Sequence, residues 1–179
     1  MGWIRYSFLS KSVDTVYTIG YSNYSVYEFL NTIKRFNIDV VVDVRRFPRS
    51  KLRGFSKDEL EVVLGGVGIS YKWFGVLGSL GLKFSGSVNC STSPTFNSYV
   101  NYLLSSEEVY NTLKYLSELA SKYYVLIMCR ELNPKYCHRQ FIADVLSIVG
   151  FKVLHIIKGD VVSHERSSCY NVLKLKYSR

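Results

Sequence analysis

The sequence predicts an α/β fold: a single domain with a mainly parallel central sheet and helices on both faces, a Rossmann-like three-layer sandwich. Three observations predict it. Strand-length apolar runs alternate with stretches of helical period through residues 16–157. The inner runs Ile38–Val44 and Tyr123–Met128 are almost unbroken apolar, as strands buried on both faces of a parallel sheet are. Polar and charged residues gather at one end of each run, where open parallel sheets bind ligands. With 179 residues, 47% of them apolar, the chain is long enough for one core and marginal for two.

The elements follow in order. Val16–Ile19, ending at Gly20, reads as the first strand. Ser25-Val26-Tyr27-Glu28 has the spacing of a capping box, in which Ser and Glu side chains satisfy backbone groups of a helix's first turn. Val26, Phe29, Leu30, Ile33 and Phe36 then recur at helical spacing. Ile38–Val44 is the second strand. A basic loop, Arg45–Arg53, leads to a second box, Ser56-Lys57-Asp58-Glu59, opening a helix to about Leu64. Gly65, Gly66 and Gly68 end it. Ile69–Trp73 is the third strand. Residues 75–95 lack periodicity and read as a long loop over one end of the sheet. Thr95–Leu104 and Glu107–Lys122 are helices, with a third S-x-x-E start offered by Ser105–Glu108. Tyr123–Met128 is a further strand. Asn133-Pro134 predicts a helix with Asn as N-cap and Pro at the first position, running to about Val149 before Gly150. Phe151–Ile157 is the last core strand. The domain is thus expected over 1–157, with its core at 16–157. Residues 158–179, polar and basic, are expected to be an extension: an edge strand or hairpin, or an arm.

Lys and Arg number 23 against 14 Asp and Glu, a net charge of +9, and the sequence pI is about 9.4. That balance suits a phosphate-bearing small molecule or nucleic acid as partner. No apolar run approaches the roughly 18 residues of a membrane span. Met1–Leu9 has no small-residue cleavage site. The expected location is the cytoplasm, with no membrane partner. The four cysteines, Cys90, Cys129, Cys137 and Cys169, form no C-x-x-C pair. They argue against a disulfide framework and, in a cytosolic protein outside the hyperthermophiles, are expected to be free thiols. Neither Walker A nor G-x-G-x-x-G is present, so the cofactor is left open, as is the oligomeric state.

Three segments carry the candidate chemistry. Cys129–Arg139 links a buried strand to the predicted helix start, an anion-attracting position. A thiol there gains acidity, which makes Cys137 a candidate nucleophile; the alternative is a small buried residue. Cys129 reads as packing or a site wall. His138 is a candidate phosphate ligand or acid/base, but neighbours on a helix point about 100° apart, so adjacency to Cys137 makes no dyad. No metal site is expected: C-x7-C-H is not a common zinc spacing. In the second segment, Asp43–Arg49, Asp43 is a candidate general base and Arg45, Arg46 and Arg49 are candidate phosphate clamps. A structural ion pair is the alternative. Glu131 is a second acid/base candidate, and Arg130 and Arg139 add substrate-binding charge. In the third, Gly20–Asn23, Ser22 and Asn23 either hydrogen-bond a ligand or cap the helix. The arginine and aromatic mix of Arg45–Arg53 with Phe47 and Phe55, and Tyr71-Lys72-Trp73-Phe74, suits nucleic acid.

Tyr17–Asn23, Val42–Ser50 and Cys129-x-Glu131-x-x-Pro134-x-x-Cys137-His138-Arg139 together resemble the family called domain of unknown function 488, over roughly residues 16–157. That family commonly has His where this chain has Tyr21, and its Leu-Gly-Gly after the third strand looks like Leu77-Gly78-Ser79 here. The resemblance implies a compact α/β domain. It also implies one site built from Asp43, Arg45, Arg46, Pro48, Glu131, Cys137, His138 and Arg139, and it supplies no reaction. The expectation is an enzyme acting on a phosphate-bearing substrate, nucleotide or nucleic acid, at the C-terminal strand ends. The rivals are a nucleic-acid-binding module without turnover and a purely structural ion-pair network.

Overall fold

The computed structural model describes residues 13–178. Its strands are β1 (Thr15–Gly20), β2 (Val40–Asp43), β3 (Ser70–Trp73), β4 (Val125–Cys129), β5 (Lys152–Ile157) and β6 (Asp160–Ser163). They form one sheet in the order β3-β2-β4-β1-β5-β6. Every pairing is parallel except the β5–β6 hairpin. The helices are α1 (Val26–Arg35), α2 (Lys57–Gly65), α3 (Pro94–Ser105), α4 (Glu107–Ala120), α5 (Arg139–Ile148) and α6 (Tyr170–Tyr177). Short 3-10 turns lie at Gly75–Leu77 and Pro134–Tyr136. The fold is the three-layer α/β sandwich that the alternating pattern predicts. No helix among the described residues is long and apolar enough to cross a membrane.

Period-2 alternation sorts the strands between two cores. Ile19, Val41, Leu126 and Met128 pack with Phe29 and Ile33 of α1 and Leu60 and Leu64 of α2. Val16, Val42, Ile127 and Val153 face the other way, onto α3, α4, α5 and α6. The helices start where their sequences say. In α1 the Glu28 backbone N–H donates to Ser25 Oγ (3.2 Å), and Glu28 Oε2 accepts from the Ser25 N–H (2.8 Å). Ser56 and Glu59 form the same box before α2. At α4 the cap is Ser106, which accepts from Val109 N–H. Ser105, the first residue of the expected box, is instead the last residue of α3.

Two expectations are corrected. Cys90 and Cys169 are joined in a disulfide, with Cα atoms 5.0 Å apart. Sparse cysteines gave no spacing signal because the bond links elements 79 residues apart. The helix expected from Pro134 begins at Arg139 instead. Asn133 does cap, accepting from Lys135 N–H at 2.9 Å, but it caps only the 3-10 turn. Cys137 then adopts extended backbone, φ −127° and ψ 142°, and breaks the run.

Residues 158–178 supply the edge strand β6 and α6. Leu173 and Tyr177 are fully buried, and Tyr177 Oη donates to the Leu103 carbonyl at 2.5 Å. Burying a side chain such as Leu173 contributes about 1.5–3 kcal/mol, so α6 belongs to the core of the α3–α5 face.

Candidate functional site

The ends of β1, β2 and β4 open into a cleft of about 650 Å³. Its lining joins the predicted segments to the loop after β3. Arg46, Phe47 and Arg49 come from the first, Cys129, Arg130, Glu131, Tyr136, Cys137 and His138 from the second, and Leu80 and Lys83 from the loop. A larger concavity of about 980 Å³ lies over residues 84–101. Among the described residues that line it, Cys90 alone could ionise and it is tied up in the disulfide, so they offer no group for acid/base or nucleophilic work.

The floor of the cleft is set by the break at Cys137. Because Cys137 is extended, its sulfur and the His138 ring turn toward each other, against the expectation from helical neighbours. His138 Nδ1 lies 3.9 Å from Cys137 Sγ and 4.0 Å from Cys129 Sγ. The other ring nitrogen, Nε2, lies 3.1 Å from the Val44 carbonyl. A carbonyl only accepts, so Nε2 carries a proton and Nδ1 is the atom presented to the sulfurs. Tyr99 packs edge-on against the ring at 5.2 Å. All three groups are buried, and both thiols are free of disulfides.

Electrostatics split the two thiols. Burial alone would raise the Cys137 thiol. The hydrogen bond from Cys129, the His138 imidazolium and Arg139 outweigh it and hold Cys137 well below the usual thiol range. The hydrogen bond to Cys137, then burial, then the negative charges of Cys137 and Glu131 push Cys129 well up. Burial would lower His138, but Cys137 raises it. The two thiols are thus driven apart, Cys137 toward the thiolate and Cys129 toward the thiol, with His138 drawn toward the protonated ring. Glu131 Oε2 lies 3.5 Å from Cys129 Sγ.

Asp43 takes no part in this floor. Its register partner on β4 is Met128, so alternation points it to the α1/α2 face while Cys129 points to the other. Both Asp43 oxygens are engaged. Arg45 donates from Nε at 2.9 and 3.0 Å and from Nη2 at 2.5 Å, its backbone N–H donates at 3.0 Å, and Tyr71 Oη donates at 2.7 Å. Arg45 also donates to Tyr21 Oη and the Phe55 carbonyl. Burial opposes the Arg45 charge, but Asp43 reverses the balance and raises it. Burial, then Asp43, raises Tyr71. With no free lone pair facing the cleft, Asp43 is an anchor for Arg45 rather than a general base, and Arg45 is no free phosphate clamp.

Arg139 is also a brace. It is fully buried. Its Nη1 donates to the Glu131 carbonyl, its Nη2 to the Leu132 carbonyl at 2.7 Å, and its Nε to Thr18 Oγ1 at 3.3 Å. Thr18 leads on to His155 Nδ1 (2.6 Å), His155 Nε2 to His164 Nδ1 (2.9 Å), and His164 Nε2 to Asp144 Oδ1 (2.9 Å). This chain leaves α5 at Arg139 and returns to it at Asp144. Burial first, then His164 and Arg139, push His155 down to about 3, so it sits neutral. Sequence reading missed Thr18, Asp144 and His164; no local pattern marks residues joined only through the sheet.

Ser22 and Asn23 do not line the cleft. Ser22 N–H donates to the Arg130 carbonyl at 3.0 Å, and the helix cap is Ser25. Tyr21 lines it instead, its ring stacked on buried Phe55 at 4.6 Å. The β1 turn lies so close to the β4 loop that a Cβ on Gly20 would meet the Glu131 carbonyl oxygen at 1.8 Å. Gly78 approaches the Arg46 backbone as closely, at 2.2 Å, so Leu77-Gly78-Ser79 retains the one glycine that the contact requires.

A three-layer α/β domain with two free cysteines and a histidine buried on the floor of a basic strand-end cleft is the class that fold and site define. The chain belongs to the family described as Domain of unknown function DUF488, whose model matches residues 25–146. That span covers about two-thirds of the chain and includes every cleft residue named above except Tyr21, which precedes it with the first motif. No curated protein and no solved structure matches the chain.

Proposed function

We propose that this protein is an enzyme that binds a phosphate-bearing substrate, a nucleotide or nucleic acid, in the strand-end cleft and attacks it with Cys137. One observation carries the reading: the Cys137 sulfur faces His138 Nδ1 at 3.9 Å on the floor of a cleft rimmed by Arg46, Arg49, Lys83 and Arg130. The rim cations seat the phosphate oxygens, bidentate guanidinium forks being suited to them. The thiolate attacks phosphorus, an S–P bond forms and the ester P–O bond breaks. The leaving oxygen takes the Nδ1 proton of His138. Water then cleaves the S–P bond, its proton returning to the imidazole, and phosphate leaves. Glu131, exposed at the cleft, is placed to orient that water.

A second reading is binding of nucleic acid without turnover. Exposed Phe47 and Tyr136, 58% and 76% accessible, favour it as stacking surfaces beside the rim arginines. The cytoplasmic location read from the sequence stays with either proposal; a disulfide such as Cys90–Cys169 is uncommon there outside hyperthermophiles.

The test is release of phosphate or nucleotide from mononucleotides, short oligonucleotides and a chromogenic aryl phosphate, by wild type and Cys137→Ser. Turnover that falls at least about a thousandfold in Cys137→Ser, on the scale of losing a nucleophile, supports the enzyme. Full turnover in the variant removes Cys137 from the mechanism. Salt-sensitive oligonucleotide binding with no turnover of any substrate favours the second reading.

A further inference from the structure

We propose that Cys129, Cys137 and His138 also form a site for a thiophilic divalent cation of the zinc class. The donor set decides the class: two thiolate sulfurs and one imidazole nitrogen suit zinc and exclude hard cations such as magnesium and calcium. Cys129 Sγ, Cys137 Sγ and His138 Nδ1 all lie within 4.8 Å of one another, with the two N–S separations at 4.0 and 3.9 Å. A tetrahedral zinc ion places sulfur at about 2.3 Å and nitrogen at about 2.0 Å, which sets neighbouring donors roughly 3.5–3.8 Å apart. The two N–S separations exceed this by a few tenths of an ångström and the S–S separation by at most about 1 Å, so side-chain movements of that size close the site around an ion.

A second feature is independent of the spacing. Ligating histidines hand their other ring nitrogen to a carbonyl or carboxylate, which fixes tautomer and ring orientation. His138 Nε2 does this with the carbonyl of Val44, the residue after β2, at 3.1 Å. Glu131, which lines the same cleft with its Oε2 3.5 Å from Cys129 Sγ, offers an oxygen for the fourth position. Two thiolates and a neutral imidazole cancel the ion's charge, so the complex adds no net cation to a cleft that Arg46 and Arg130 already make basic. All three groups ligate in their deprotonated forms, so binding weakens as pH falls. One sulfur cannot ligate and attack at once, so the ion is a reversible block on Cys137. The site does not depend on the phosphate chemistry proposed above.

Binding is read without turnover. The full chain, disulfide intact, is titrated with Co2+, and in parallel its alkylation by iodoacetamide is followed by peptide mass with and without Zn2+. The expected result is one tetrahedral Co2+ per chain, with a thiolate-to-cobalt charge-transfer band that falls by about half or more in Cys129→Ser, one of the two thiolates being lost, and shifts in Glu131→Gln. Zn2+ at 100 times its dissociation constant should slow Cys137 and Cys129 alkylation about a hundredfold, as mass action requires. The alkylation arm uses wild type alone, so a variant that fails to fold leaves the proposal exposed. Wild-type alkylation rates unchanged by Zn2+, or a Co2+ spectrum without thiolate charge transfer, overturn it. Neither outcome touches the phosphate reading, which stands or falls on turnover.

Discussion

Arg45 and Arg46 are consecutive and both line the cleft, yet only Arg45 is tied to a buried carboxylate. Arg45 is 6% exposed and spends its donors on Asp43, Tyr21 and Phe55. Arg46 instead carries its guanidinium 6.0 Å above the exposed Phe47 ring. The same contrast separates Asp43 from Cys129, carried by neighbouring strands but facing opposite layers. Residue type at a strand end therefore does not decide between structure and chemistry. The face of the pleat does, together with whether the partner is local.

The largest break in this comparison is Arg45→Ala. It leaves the fully buried Asp43 carboxylate without its counter-charge, and stability should fall by about 3–5 kcal/mol in urea unfolding. Arg46→Ala should move the same curve by less than about 0.5 kcal/mol while weakening phosphate binding in a thermal-shift titration. Equal destabilisation by the two would erase the distinction.

Gly20→Ala comes next. The added Cβ meets backbone, the Glu131 carbonyl, which cannot swing aside as a side chain would. A loss of about 1–3 kcal/mol is expected, along with faster amide exchange in residues 129–132. An unchanged exchange pattern would mean that the β1–β4 contact does not hold the site.

The last effect is in pH and vanishes near neutrality. His155 is neutral in the fold, its pKa pushed down to about 3 from an unfolded value of about 6.5. Between these values the unfolded chain binds the proton and the folded one does not. Stability from this group is therefore complete above about pH 6.5 and falls as pH drops toward 3. His155→Gln should flatten the melting temperature over that window; an unaltered acid slope would assign it to other groups.

Much of the fold was legible. The apolar runs that became β1, β2, β4 and β5, and the boxes at Ser25 and Ser56, reported local physics that tertiary contacts then reinforced. The start of α5 was misplaced because the Asn133-Pro134 signature is satisfied by a single 3-10 turn; it does not specify how far a helix continues. Helix α6 was hidden in a polar tail, although Tyr170, Leu173 and Tyr177 recur at helical spacing. Cys137 and His138 were legible as candidate site residues and Cys129 as packing or a site wall, but their convergence needs the extended backbone at Cys137. Asp43 and Cys129 could have been assigned to opposite faces from alternation alone once the register was known, and register is a tertiary fact. Lys83 carried no signal, since it lies in the loop without periodicity.

The hydrogen-bonded circuit from Arg139 through Thr18, His155 and His164 to Asp144 has one further consequence, for inheritance. With His155 neutral, its protons run in one direction, each group donating to the next from the arginine to the carboxylate. Replacing any one member by an apolar residue strands a donor or an acceptor on its neighbour. The five positions should therefore drift together: relatives that have lost one link should have replaced the whole circuit with a dry, packed core.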